Sequence, residues 1–574
     1  MRLRHLLLAA TALTGFHQTA LAEAPAFAPV PFAADDAAKR AVTASETVTW
    51  AGAGLPLAYH TVLRTGDKLG DQTFGALTGS DGKALGPTSA NPDFTSLLPV
   101  GGKLFSLSHF EDGPGALYLT ELAQDAEGNL TAVSTRPVDL AAVGGIWQPC
   151  AGSVTPWGTH LASEEYPDNA RATESATSLA DLTEDTAPFA RYYGLDPATM
   201  TVGAFKAVFN PYRYGYATEI AVSETGEAKV AKHFAMGRVS MELARVMPDR
   251  KTVYISEDGT NVDLYRFVAD TAGDLSSGQL YALKWQQTSA ENGGAAKVEW
   301  IDLGHADDAM LQKAIDDGVK FSDLFDAEDM DGGSCAEGYL PSNASGLLEC
   351  LKVKPGMEAL ASRLETTRYA SMLGASTEFR KMEGTAFDPA TNRLYVAMTQ
   401  VAKGMTEANE DADLPTRDDI RLPKNNCGAV YEMQLDASYA GTDIKAVVTG
   451  KPMDYAADAP EAGNTCDVNG IASPDNLGFI DGMNTLLIGE DSDDGHRNDV
   501  VWSVDLATGA LTRILSTPYG AEATSVDWYP NIGGHGYLMA VVQHPYGETD
   551  ADKLKDPAEA NGYVGYLGPF PAMQ

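Results

Sequence analysis

The chain has 574 residues, with 79 acidic side chains against 41 basic ones and a net charge of −38 at pH 7. Such an acidic surface repels nucleic acid and anionic lipid, so neither is expected as a partner. Beyond the amino terminus no apolar run is long enough to span a bilayer, which excludes a helical membrane protein.

Taken in chain order, residues 1–22 run from Arg2 and Arg4 through "LLLAATALTGF" to Ala20-Leu21-Ala22. That is the pattern of a secretory signal with a small-residue cleavage site, and the apolar run is too short for an anchor. Export to the periplasm or the medium is expected, with residues 23–45 as a linker ahead of one unit over 46–574. In an oxidising compartment, four of the five cysteines can pair and one is left over. Spacing favours Cys335 with Cys350 and Cys427 with Cys466 among several possible connectivities, leaving Cys150 free.

Six short apolar strands then recur, each ending in a polar or acidic cluster: "KLFSLSH" (103–109), "THLASEE" (159–165), "TVYISED" (252–258), "RLYVAMTQ" (393–400), "TLLIGED" (485–491) and "YLMAVVQH" (537–544). Each follows a turn rich in Gly, Pro, Asp or Asn, so each reads as the second arm of a hairpin. Counting back about 16 residues from each strand end reaches Asp93, Cys150, Glu242, Glu383 and Asp475, and a longer final unit reaches Glu522. Every hairpin thus begins with a side chain able to bind a metal. Six hairpins that cannot bury their faces alone predict an all-β, six-bladed β-propeller, with those starting residues converging on its axis. A β-sandwich with long loops is the alternative.

The largest interruption, about residues 286–375, holds "ADDAMLQKAIDDGV" and "GMEALASRLETTRYASML", which have helical periodicity, and is read as a solvated cap. Its acidic stretch "DLFDAEDMDGGS" fails the EF-hand spacing, because Ala327 falls at the first ligand position. A second acidic loop, 406–419, is read as a surface excursion.

Carboxylates gathered on an axis need a counterion. Two of them about 5 Å apart repel by roughly 3 kcal/mol at an effective dielectric near 20. Oxygen ligands suit calcium or magnesium, whereas a thiolate is soft and points to a transition metal beside the hard one. His109 and His544 make no familiar zinc spacing with Cys150 and are read as hydrogen-bonding residues.

The run "CAGSVTPWGTHLASEE" resembles the Cys-Ala-Gly-Gly-x-Thr-Pro-Trp-Gly-Thr-x-Leu-x-x-Glu-Glu signature of the PhoX-type alkaline phosphatases. "GRVSMELARV", "TVYISEDGTNVDLYRFV", "RKMEGTAFDP", "SPDNLGFID" and "GAEATSVDW" with "VVQHP" are similar to further family segments in the same order, over about residues 90–545. The resemblance implies a six-bladed propeller enzyme that hydrolyses small phosphate esters at an axial cluster of calcium and ferric iron bridged by an oxo group; a monomer is expected. Carried over residue by residue, it implies Cys150, Glu165, Glu242, Glu383 and Asp475 as metal ligands, with Glu522 added by spacing. The family's phosphate-holding arginine falls on Lys381, with Arg380 beside it, so these two are the expected catalytic residues. Lysine holds phosphate as a point charge and not as a fork. Met241 stands where the family has histidine, and no twin arginine precedes the signal. Other metal-dependent esterases (a phosphodiesterase, phosphotriesterase or lactonase) and a non-catalytic calcium-stabilised binding propeller are the alternative functions, because fold does not fix function.

Overall fold

The six strands singled out by their apolar runs form nearly fully buried second strands: Lys103–Phe110, His160–Ala162, Thr252–Glu257, Arg393–Met398, Thr485–Glu490 and His535–Gln543. They read as continuous apolar runs and not as alternations because sheets stack on both of their faces. The computed structural model describes residues 23–183, 186–330, 333–409, 412–493 and 495–573, so the signal read at 1–22 lies outside the described residues.

Each of these strands pairs antiparallel with an inner strand before it: Pro92–Val100, Gly152–Val154, Met241–Val246, Met382–Asp388, Pro474–Ile480 and Glu522–Thr524. Two further strands complete each sheet outward, and the third gains a fifth, Ala295–Asp307, which makes six blades. Each inner strand packs on the next, and His535–Gln543 packs on Pro92–Val100, so the ring closes as a six-bladed β-propeller. The third and fourth blades are further joined at their outer edges, where Ala295–Lys297 pair with Asp443–Lys445.

Residues 23–45, expected as a linker, contribute to closure. Thr43–Ala44 adds an edge to the fifth blade beside Leu515–Ser516, and Phe27, Val30 and Ala33 are buried. Ala58–Arg64 then forms the outermost strand of the sixth blade. The start of the chain thus staples the last two blades, and Trp50 packs between Trp528 and Phe570, 5.4 and 4.9 Å away.

The insertion is a folded cap with its own core, not a merely solvated one. Leu311, Ile315, Phe321, Leu351 and Leu364 pack together and against Tyr212, Tyr216 and Phe234. Asp307 caps the helix Asp308–Asp316, and the second helical pattern is broken in two, Glu358–Leu364 and Thr366–Leu373, at Glu365. The Glu365 carboxylate is held there by Arg368 and Tyr212. The bridges Cys335–Cys350 and Cys427–Cys466 are present and Cys150 is free. The 406–419 loop is not an excursion, since Ala412 and Leu414 are buried and Asn261 donates to the Ala412 carbonyl at 2.7 Å.

The four longer inner strands all break register at the residue facing the axis: between Pro92 and Thr95, Met241 and Leu243, Met382 and Thr385, and Pro474 and Leu477. A bulge re-aims a side chain, and here it turns Asp93, Glu242, Glu383 and Asp475 onto one axis. The fourth bulge needs Gly384, where a Cβ would lie 2.6 Å from the Asp475 carbonyl oxygen and 2.9 Å from the Leu477 nitrogen. Backbone of a neighbouring blade cannot retreat as a flexible side chain can. Gly384→Ala is therefore expected to destabilise the protein by about 1–3 kcal/mol, seen as a lower urea midpoint; an unchanged midpoint would remove this glycine from the account.

Candidate metal and active site

Along a strand, successive side chains point to opposite faces, and this gives the paired acids at three strand ends separate tasks. In Glu164-Glu165, Glu257-Asp258 and Glu490-Asp491 the second acid lies at the axis. The first turns away and clamps backbone. Glu164 accepts the Trp147 N–H at 2.9 Å, Glu257 the Ser240 N–H at 3.3 Å and Glu490 the Ala472 N–H at 2.8 Å. Each of these amides lies two or three residues ahead of Cys150, Glu242 or Asp475, so the clamp fixes the lead-in to an axial side chain.

Glu164 is the most elaborate clamp. Its other oxygen accepts from Gly215 and Tyr216, and its charge is matched by Lys232 Nζ at 2.7 Å, both side chains being almost wholly buried. Removing one partner of such a pair strands the other charge. Lys232→Met should thus cost about 3–5 kcal/mol. Chemical denaturation reads this directly, and a loss under 1 kcal/mol would show the pair to be dispensable.

Cys150 is held by a chain of neutral imidazoles. The Cys150 carbonyl can only accept, so His109 donates to it from Nδ1 at 2.6 Å and must accept at Nε2. His160 then donates from Nε2 at 2.7 Å and accepts the Ser96 hydroxyl at Nδ1, again at 2.7 Å. Burial pushes His109 down to about 4 and His160 well below its usual range, which keeps both rings neutral as the chain requires. His109 is therefore a positioning residue and not a ligand.

At the axis the ligand-type atoms of Cys150, Glu165 and Glu242 lie within 4.8 Å of one another, as do those of Glu242, Glu383 and Asp475, and those of Asp93, Glu111 and Cys150. Glu242 joins the first two groups. The Cys150 thiol lies 3.5 Å from its Oε1. Glu522 stands at the edge, in electrostatic contact with Asp475 and 3.5 Å from His544 Nε2. Asp93, part of the six-fold pattern but not of the implied ligand set, and Glu111, Asp258 and Asp491, none of which figured in that pattern's starting positions, complete the cluster. The only sequence signal for Asp258 and Asp491 was the repeated acid pair closing "YISED" and "LIGED". Glu111 had none, because it lies past the strand end.

Lys381 and Arg380 part company. Lys381 adopts a left-handed φ of 47°, and its ammonium lies 3.6 Å from Glu383, 3.7 Å from Asp491 and 3.8 Å from Asp258. Burial works against that charge, but the three carboxylates outweigh it and hold the ammonium well above the usual lysine range. Arg380 pairs instead with the Thr260–Val262 strand and donates to Thr260 Oγ1 at 2.7 Å. It lines a cavity of about 420 Å³ beside the cluster, where Tyr166, hydrogen-bonded to Asp258, forms the shared wall.

The residues present fit a cation cluster. Burial, then mutual repulsion, raises Glu111 to about 8, Asp475 to about 7 and Glu165, Glu242 and Glu383 well above the carboxylate range. Asp93 Oδ2, Glu242 Oε2 and Asp475 Oδ1 are buried without a hydrogen-bond partner. Buried oxygens are not normally left so, and three of them converging on one axis are what cations would satisfy. Hard carboxylates with one thiolate offer both kinds of donor.

A search of curated proteins returns no match. Among solved structures, the chain is similar to PhoX of Pseudomonas fluorescens in complex with vanadate, a transition-state analogue, with a TM-score of 0.62 and 18% identity over 95% of this chain and 98% of that one. A putative 6-phosphogluconolactonase of Bacteroides uniformis matches at a TM-score of 0.29 and 14% identity, over 76% of this chain and 88% of that one, and carries no further argument. The family model described as alkaline phosphatase PhoX matches residues 120–546. That match spans well over half of the chain, which therefore belongs to the PhoX alkaline phosphatase family, a family of metal-dependent hydrolases of phosphoric esters.

Proposed function

We propose that the chain is an exported phosphatase that hydrolyses phosphate monoesters at an axial cluster of calcium and ferric iron. Cys150, Glu165, Glu242, Glu383 and Asp475 would hold the metals, with Glu522 at the edge. The observation that carries this reading is the convergence of three partnerless buried oxygens, on Asp93, Glu242 and Asp475, in a cluster whose nearby cation is Lys381. Calcium fits the carboxylate oxygens, and the Cys150 thiol favours iron as the second ion. Such a cluster, when bound, supplies Lewis acidity toward the phosphoryl oxygens and an activated oxygen nucleophile.

This chain's own residues do the rest. Lys381 is pinned by Asp258, Glu383 and Asp491 with its ammonium charged, ready to offset the charge that develops on the phosphoryl oxygens. As a point charge it tolerates more phosphate orientations than a guanidinium fork. The imidazole chain and the Glu164 clamp fix Cys150 and Glu165 before substrate arrives, so little reorganisation is left to the reaction.

Protein purified with calcium should release phosphate from p-nitrophenyl phosphate at alkaline pH, and a chelator should abolish the activity. Folded, calcium-replete protein without hydrolysis would overturn the monoesterase reading. Export, removal of residues 1–22 and a monomeric state belong to the same proposal; the mass of the protein recovered from the periplasm and its sedimentation test them.

A further inference from the structure

Arg380 is anomalous in a chain with nearly twice as many acidic as basic side chains. Among the described residues no carboxylate lies within salt-bridge distance of it, its Nε is buried without a hydrogen-bond partner, and its one side-chain hydrogen bond there runs from Nη1 to Thr260 Oγ1. Arg238, on the same cavity, donates to the Tyr214 and Asp168 carbonyls and interacts electrostatically with the Asp168 carboxylate, so its charge is matched. Of the acids in the cavity wall, Asp168 accepts from Thr173 and Thr186 and faces Arg238, and the other three are committed elsewhere. Glu365 is taken by Arg368 and Tyr212, Glu257 by Thr367 and Tyr265, and Asp258 by Tyr166 and Lys381. What remains toward the cavity without a matching anion is the Arg380 guanidinium.

The place of the cavity says which anion. Its inner wall, Tyr166 and Asp258, is also the edge of the axial cluster, and Arg380 is the immediate chain neighbour of Lys381. A volume of about 420 Å³ lies within the range of small-molecule sites. A monoester with its phosphoryl group at the cluster would therefore extend its alcohol part into this space. Resting on the phosphatase reading above, we propose that the cavity is the leaving-group site and that Arg380 is its specificity residue, selecting esters whose alcohol carries a second anionic group. Arginine recognises carboxylate and phosphate alike through paired N–H donors. Its role differs from the one implied by resemblance: it acts on the leaving group and not on the scissile phosphoryl.

The test compares kcat/KM for 3-phosphoglycerate and glycerol 3-phosphate, which differ in bearing a carboxylate or a hydroxymethyl group at the same position. The wild type should favour 3-phosphoglycerate by roughly tenfold or more, a loss typical of one charge-assisted contact. Arg380→Gln should bring the two within about twofold. A wild type without the preference, or a variant that retains it, overturns the proposal while leaving the phosphatase reading intact. A wild type that turns over p-nitrophenyl phosphate but neither of these esters does the same. Failure on all three substrates would instead overturn the phosphatase reading, and the leaving-group site with it.

Discussion

Glu242→Gln should abolish activity, and its effect on stability should change sign with the metals. The Glu242 carboxylate belongs both to the group with Cys150 and Glu165 and to the group with Glu383 and Asp475. Among the described residues, no other belongs to both of those groups. An amide of the same shape keeps the packing but loses the charge that would bind cations on either side, so a fall in kcat/KM of about a thousandfold or more is expected. Metal content should drop in parallel. In chelated protein the same substitution removes one member of a mutually repelling set. At roughly 3 kcal/mol per close pair, the chelated variant should melt about 2–5 °C higher than chelated wild type at pH 8. In calcium-replete protein it should melt lower. Wild-type activity and metal content in the variant would place the metals elsewhere.

The second expectation concerns pH in the absence of cations. Burial raises Asp93 to about 6, Asp475 to about 7 and Glu111 to about 8, against unfolded values near 4. The folded protein therefore binds more protons than the unfolded one between roughly pH 4 and 8. Stability in that window must fall as pH rises, because each carboxylate that ionises in the native cluster does so at a cost that the unfolded chain does not meet. Chelated protein should lose at least about 5 °C in Tm between pH 5 and pH 8. Cations bind the ionised forms and should remove most of that slope. Scanning calorimetry with and without calcium separates this from the repulsion of the whole acidic surface, which acts in both samples. Equal slopes would mean that the axial acids are not what the cations neutralise.

Much of the site was legible because its spacing is a property of hairpins. Asp93, Cys150, Glu242, Glu383 and Asp475 each precede a buried second strand by a nearly constant interval, and hairpin pairing carries them to equivalent places. Less legible was which acid of each terminal pair serves the axis. Strand alternation separates Glu164 from Glu165 and Glu257 from Asp258, but the facing direction depends on register and on the bulges. Glu111 escaped because it lies beyond the strand end, and its approach depends on the cross-blade partner Gln543 at 2.7 Å.

The sequence by itself determined the six-fold pattern, the strands, the acidic charge and the ring of ligand-type residues, since periodicity and turn residues act locally. Tertiary structure decided the rest. It folded the cap onto the second and third blades, drew residues 23–45 into the closure of the ring and sent Lys381 and Arg380, adjacent in the chain, to different tasks. One joins the axial acids and the other a cavity walled partly by the insertion. Those outcomes rest on contacts between segments a hundred or more residues apart, whose geometry exists only once the blades have closed.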